Sequence, residues 1–468
     1  MRLIFDMPVF DLSSVLEVLG TVLPEERIIL REGSLEKLSK DFYWYSPVLK
    51  RQLEDKKADF GLMIETREEL QKVISILFEY QVPIQIRGGG TGNYGQLIPL
   101  YGGVILDLSG MDAIHSVEEG VLRAEPGVRI ATIELEAGKA GYEMRCIPST
   151  WVKSSFGGFL AGGSGGIGSI TYGGIASNDN MVSATICTVE AEPKIVKIEG
   201  PDCLRVLHTY GTNGILVEAE MKLGVKRKYE QLIFSHADWS TLFDWTNSIA
   251  QDRSILKRLV TQFDGDIVDA FKPLRRYFTE GEHVTFLLID EAFVEGVLAS
   301  AEEAGIRFCH QMPLNFPPKP PYLTDYTWNH TTLWALKKDP NITYLQLGFG
   351  PTGFKERAQL LKDAFPDEIF HHLEFTANHE PEGEATGISC GGLPIVKFTT
   401  EERLNEIISF CWDNGIFVAN PHTCILEEGG RHDDLDEKRR LKSLYDPKGL
   451  LNPGKMKTYE SNPFTAPV

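Results

Sequence analysis

Pro83-Ile84-Gln85-Ile86-Arg87-Gly88-Gly89-Gly90-Thr91-Gly92 joins an apolar, strand-like run to three consecutive glycines, a hydroxyl residue and a fourth glycine. A turn of this kind suits a diphosphate. Glycine tolerates positive φ and has no Cβ, so several backbone N–H groups can point at crowded anionic oxygens. Thr91 adds a hydroxyl and Arg87 a positive charge. Short glycine motifs also serve as plain strand connections, so the loop decides nothing alone. What it excludes is clearer. No Lys-Ser/Thr pair follows, so it is not a P-loop. Tyr94-Gly95-Gln96 and another strand follow instead of a helix, so no helix N-terminus receives the phosphate as in a Rossmann unit. A dinucleotide bound here requires a different fold.

Working outward, residues 61–65 read as a strand, and Thr66 with Glu69 three residues later forms a capping box. Leu70, Val73, Ile74 and Leu77 fall on one face of the helix that follows. Further strands are expected at 104–108 and 121–124, and a helix at 130–140. A second glycine-dense stretch runs from 148 to 174. A flexible linker would lack its interspersed Phe156, Phe159, Leu160, Ile167, Ile170 and Tyr172. It reads as an ordered segment whose backbone lies against something flat or extended. Near Gly224 the character changes. Residues 225–400 carry charged helices, two or three strands (284–289 and 342–348) and a proline-rich loop from Pro313 to Pro321, the marks of a separate α+β domain. The tail offers a helix (401–414), a short apolar strand (416–419) and a basic helix (436–444).

Bulk properties narrow the class. A chain of 468 residues accommodates two or three domains. Its net charge of −19 argues against nucleic acid or an anionic membrane surface as the main partner. The seven cysteines have no C-x-x-C spacing and read as buried free thiols. Asp6, Asp11 and Glu17 interrupt the apolar residues of the first twenty, unlike a signal peptide, and no segment has the length to span a bilayer. A cytoplasmic location is expected.

Four motifs in this order resemble the FAD-binding family of vanillyl-alcohol oxidase and p-cresol methylhydroxylase. They are Arg87-Gly-Gly-Gly-Thr-Gly92; Ser154-Ser-Phe-Gly-Gly158 with Ile170-Thr-Tyr-Gly173; Gly211-Thr-Asn-Gly-Ile215; and Asp446-Pro-Lys-Gly-Leu-Leu-Asn-Pro-Gly-Lys455. The glycolate oxidase and D-lactate dehydrogenase branch is nearest. The resemblance implies an α+β protein. Residues 1–224 would form a two-lobed FAD-binding domain with its core at about 55–224, residues 225–400 an inserted α+β cap over the flavin, and residues 401–468 a C-terminal segment returning to the first domain. By the same resemblance Arg87, Gly88, Gly89, Gly90, Thr91, Gly92 and Asn93 hold the pyrophosphate. Ser154, Ser155, Gly157 and Gly158 approach the flavin or pyrophosphate, and Gly165, Gly168 and Tyr172 continue that wall. Ile215 touches the adenine side and Asn452 faces the flavin. Relatives with a covalent flavin carry a histidine about where Thr91 stands, so noncovalent FAD is expected.

The resemblance also implies an activity: oxidation of a small alcohol or hydroxy acid by hydride transfer to flavin N5, with electrons passed to oxygen or a carrier. His422 and His330 are the candidate bases. Tyr326-Thr-Trp-Asn-His330 and Trp334 are candidate pocket walls, and His310 with the proline-rich loop a candidate lid. The hydroxy-acid branch often carries a metal-binding His-x-Gly-Asp-Gly-Asn-x-His stretch. Gln346-Leu-Gly-Phe-Gly-Pro-Thr-Gly353 has neither its histidines nor its aspartate, so no metal is expected. His371, His372 and His379 stand near Glu374 and Glu380 without ligand spacing and read as a helix or turn surface. Two alternatives stay open: an NADPH-dependent reductase of related fold, and a flavin-binding module without catalysis.

Overall fold

The βα unit ahead of the glycine loop forms as its residues dictate. In the computed structural model, which describes residues 10–177, 180–314, 321–379, 385–430 and 434–457, the helix Arg67–Glu79 is capped by Thr66, whose Oγ1 accepts the Glu69 N–H at 3.1 Å. The Glu69 carboxylate accepts the Glu65 N–H at 3.1 Å and a forked pair of bonds from Arg27 at 2.9 and 2.7 Å. Leu70, Val73, Ile74 and Leu77 are buried against a four-stranded sheet in the order Ile28–Ile29, Phe60–Met63, Val104–Asp107, Ile84–Arg87. The last three strands are parallel, so the glycine loop leaves the carboxyl end of an edge strand.

A second lobe is a six-stranded antiparallel sheet. Its long strand Ile215–Val225 pairs with Val121–Ala124 and Met181–Cys187, and near its end with Tyr142–Met144. The two lobes share apolar core: Cys187, Val189, Ile215 and Val217 of the second pack with Ile84, Val104 and Leu106 of the first. The tail closes the seam. Ile84 N–H donates to the Leu450 carbonyl at 2.8 Å, and Asn452 N–H donates back to the Ile84 carbonyl at 2.7 Å.

The cap is richer in strand than its sequence suggests. An eight-stranded sheet runs in the order Arg307–Leu314, Tyr229–His236, His283–Asp290, Lys257–Phe263, His372–His379, Ala385–Gly392, Gln346–Gly348, Phe417–Ala419. Strands such as Lys257–Phe263 are buried at every position, so they lack the polar–apolar alternation that marks a half-exposed strand. The boundary expected at residue 400 also moves. Phe417–Ala419 is an edge strand of this sheet, and helix Glu401–Asp413 buries Leu404, Ile407, Ile408 and Cys411 in the cap core. The chain returns to the first domain after this strand, first at Cys424 and Leu426, then through helix Leu435–Tyr445 and the Leu450–Asn452 stretch. Residues 315–320, most of the proline-rich loop, lie outside the described residues. Among the described residues no helix is long and apolar enough to cross a membrane.

Candidate functional site

The two glycine-dense segments, far apart in the chain, meet. Gly89 N–H donates to Ser155 Oγ at 3.1 Å, and the Thr91 and Ser154 hydroxyls lie 2.8 Å apart. Ser155 also caps helix Phe156–Gly162, accepting the Gly158 N–H at 3.3 Å. Glycine is required where backbones touch. A Cβ on Gly88 would collide with Ser155 Oγ, and one on Gly89 would strike the Lys153 carbonyl and come within 3.0 Å of Ser154 Cα. Gly90 adopts φ +63° directly over the Arg87 guanidinium.

Between these walls lie two adjoining spaces. A cleft of about 170 Å³ is lined by Arg87–Gly92, Ser155, Gly157, Gly158, Ile215 and Asn452. A cavity of about 620 Å³ is lined by Asn93, Ser154, Gly165, the 328–330 turn and the hairpin around Glu374 and Cys390. Thr91, Gly92, Gln96, Gly158 and Gly162 line both, so the two meet there. Gly162 opens into this junction: a Cβ there would find only Ser164 Oγ, at 3.7 Å. Buried polar atoms around the two spaces lack protein partners, among them Asn93 Nδ2, Asp41 Oδ2 and Asn452 Oδ1. Burial pushes the Asp41 carboxyl up to about 7, against the opposing pull of the Tyr43 N–H, Lys455 and Arg87.

Several expected residues stand elsewhere. Gly168 and Tyr172 line neither space. Gly168, at φ +102°, packs on the Arg145 carbonyl and donates its N–H to the Arg258 carbonyl at 2.7 Å, while Tyr172 lies under the Arg145 guanidinium. Arg87 lines the cleft, but its Nη1 is spent on the Leu38 and Lys40 carbonyls at 2.6 and 2.9 Å, which braces the loop from behind. Asn452 lies in the cleft beside Arg87–Gly92, away from the cavity, and its Nδ2 donates to the Gln96 carbonyl at 2.9 Å and to the Tyr210 carbonyl.

The candidate bases divide sharply. His422 lines neither space. It is buried with both ring nitrogens engaged, Nδ1 at 2.8 Å from Ser46 Oγ and Nε2 at 2.9 Å from the Tyr344 carbonyl, so it ties the aromatic 43–45 turn to the cap. His330 lines the cavity, and its Nδ1 is buried without a partner. Burial, helped by Lys337 and Lys153, lowers its pKa to about 4, so the imidazole is neutral at pH 7. His310 stacks on Tyr277 at 3.9 Å and does not line the cavity.

Glu374 is the cavity residue that the sequence did not single out. The surface expected around His371, His372 and Glu374 is instead a buried central strand. His372 and Glu374 share one face of it, two residues apart, with His372 Nε2 2.8 Å from Glu374 Oε1 and its ring stacked on Phe263 at 4.7 Å. His371 points its Nε2 at the Ala358 carbonyl, 2.8 Å away. Among the described residues no cluster of His, Cys, Asp or Glu is arranged to hold a metal. Glu374 Oε1 also accepts the Trp328 N–H at 2.9 Å. Trp328 has φ +51°, a conformation side chains disfavour, and this bond holds it at the start of the helix carrying His330. Glu374 Oε2 is buried without a partner.

Comparison with known proteins meets this geometry. A family model described as an FAD binding domain matches residues 59–197, which include both glycine walls. These residues form an FAD-binding domain. The glycolate oxidase subunit GlcD of Bacillus subtilis is 28% identical over 177 residues, 36% of this chain and 37% of that protein. The D-lactate dehydrogenase [cytochrome] of Arabidopsis thaliana mitochondria is 28% identical over 176 residues, 35% of this chain and 30% of that one. The chain thus matches these relatives over only 37% and 30% of their length. A solved alkyldihydroxyacetonephosphate synthase superposes with a TM-score of 0.70 over 96% of this chain and 87% of its own at 16% identity, a likeness of fold across the FAD-binding domain and the cap together. The site suits FAD. The glycine-walled cleft, the open face of Gly162 and the unpartnered Asn93 Nδ2 and Asn452 Oδ1 provide an extended cradle with polar atoms to satisfy.

Proposed function

We propose that this protein is an FAD-dependent oxidoreductase that oxidises a small alcohol or hydroxy acid. One observation carries the reading: the cleft bounded by Arg87–Gly92 opens at Thr91, Gly92 and Gly162 into a cavity bearing an unpartnered, neutral histidine. Cleft residues Gly88–Gly92, Ser155, Gly157, Gly158 and Ile215 hold the cofactor, with Asn93, Ser154 and Gly165 continuing its seat in the cavity. Thr91 offers no imidazole for a covalent link, so FAD is held noncovalently. Bound FAD supplies the acceptor for the hydride leaving the alcohol carbon, and its electrons pass on to oxygen or a carrier. His330 Nδ1 takes the hydroxyl proton as the carbonyl product forms. Trp328 and Leu333 wall the cavity beside His330 and keep bulk water from the reacting carbon. Glu374 fixes the Trp328 turn, and through it the aim of His330.

The test is anaerobic flavin bleaching with a panel of alcohols, sugars and hydroxy acids. A donor that bleaches the wild type should do so about 10²–10⁴-fold more slowly with His330→Ala, at unchanged FAD content. An unchanged rate removes His330 from the mechanism. A flavin that no donor reduces removes the oxidoreductase reading.

A further inference from the structure

Among the described residues the cavity lining has an acid and no base of fixed charge. Among its described lining residues there is no lysine or arginine, and its ionisable side chains besides tyrosine and cysteine are His330 and Glu374. His330 is neutral at pH 7. The remaining polar lining, such as Gln346, Thr376, Asn378 and Ser389, is uncharged. The two lysines whose charge reaches His330 do not line the cavity: Lys153 is exposed, and Lys337 sits 4.2 Å over the Trp334 ring. The start of helix Asn329–Lys338 could attract an anion, but Glu374 Oε1 already accepts the Trp328 N–H there. Glu374 Oε2, buried and unpartnered, is an acceptor awaiting a donor.

We propose that this cavity selects an uncharged alcohol over an α-hydroxy acid, with Glu374 Oε2 accepting a hydrogen bond from a substrate hydroxyl. This rests on the oxidoreductase reading and narrows it. A substrate carboxylate would lose its hydration beside an acidic side chain whose basic neighbour, His372, already bonds Glu374 Oε1, with no lysine or arginine among the described lining residues to repay it. A hydroxyl in the same place satisfies the orphaned oxygen. The substrate class thus differs from those named for the glycolate and D-lactate relatives, whose similarity spans about a third of this chain.

The experiment uses the FAD-loaded enzyme and matched pairs differing only in a CH2OH or a carboxylate: 1,2-propanediol against D-lactate, ethylene glycol against glycolate, sorbitol against gluconate. Binding is read from perturbation of the flavin spectrum, and turnover separately from anaerobic bleaching. In at least one pair the neutral member should bind at least about tenfold more tightly than its acid. Glu374→Gln should shrink that preference about tenfold or more, by weakening the neutral member, strengthening the acid, or both. Should the variant fail to fold, the wild-type pairs decide. Equal or tighter binding of the acids overturns the proposal, as does a panel in which no neutral member binds. Neutral members that bind selectively without bleaching the flavin uphold the selection and break the oxidoreductase reading alone.

Discussion

The glycine walls and the cap cavity were built by different rules. The walls depend on bare backbone: Gly88, Gly89 and Gly157 are needed because a Cβ would strike Ser155, Lys153 or Pro126. The cavity is lined instead by side chains that strands and a strained turn bring from positions 328–330, 374–378 and 389–391. The first kind of site is written in contiguous motifs. The second is assembled by pairing of distant strands, and leaves little local trace.

The largest effect should come from forcing a side chain between the walls. Gly89→Val would drive the loop from Lys153 and Ser154, and the purified protein should emerge without yellow colour or fail to fold. A yellow, folded variant with full FAD content would show that the walls need not touch. The cavity side is probed by pH. The His330 imidazole is held down to about 4, so substrate-driven flavin reduction should be level at neutral pH and fall as pH drops through about 4. Its folded pKa lies below the ordinary histidine value, so its contribution to stability is present above about 6.5 and lost as pH falls through about 4.

Asp41 tests the cleft in the opposite sense. Its folded pKa is raised to about 7, so its contribution is present below the ordinary aspartate value and lost as pH rises through about 7. Chemical denaturation of the apoprotein should show stability declining across that window, by on the order of 4 kcal/mol if the shift is fully expressed, and Asp41→Asn should flatten the decline. If the cleft holds the cofactor diphosphate as proposed, FAD affinity should fall over the same range, since Asp41 lines that cleft; pH-independent affinity would count against this role. The smallest effect on catalysis is expected at His422. His422→Ala leaves Ser46 and Tyr344 without their partner and should lower stability by about 1–3 kcal/mol. The flavin reduction rate should not change, and a fall comparable to that of His330→Ala would restore His422 to the mechanism.

Much of the first domain was legible. The capping box at Thr66 and Glu69, the apolar face of the following helix and the two glycine segments are local patterns, and each stands where the sequence puts it. Gly168 and Tyr172 belong to the same segment but line neither the cleft nor the cavity, because sequence marks a close-packed backbone without saying which neighbour it packs on. In the cap, continuous burial erased the strand alternation of Lys257–Phe263, which was not read as a strand; nor was His372–His379, whose first four residues are all buried. That hid Glu374 among histidines that resembled a surface cluster. The place of His422 was hidden for a related reason: it follows a strand, as expected, yet that strand edges the cap sheet, and the ring is held by Ser46 from the other domain.

The central claim is that one extended cofactor passes through the junction where cleft and cavity meet. Isothermal titration of FAD into the apoprotein and into Gly162→Leu tests it most directly, with circular dichroism to verify folding. The account predicts one FAD per wild-type chain, released intact on denaturation, and a folded variant that binds none, since its side chain enters the junction rather than the protein interior. A folded Gly162→Leu that binds FAD as tightly as the wild type would contradict it.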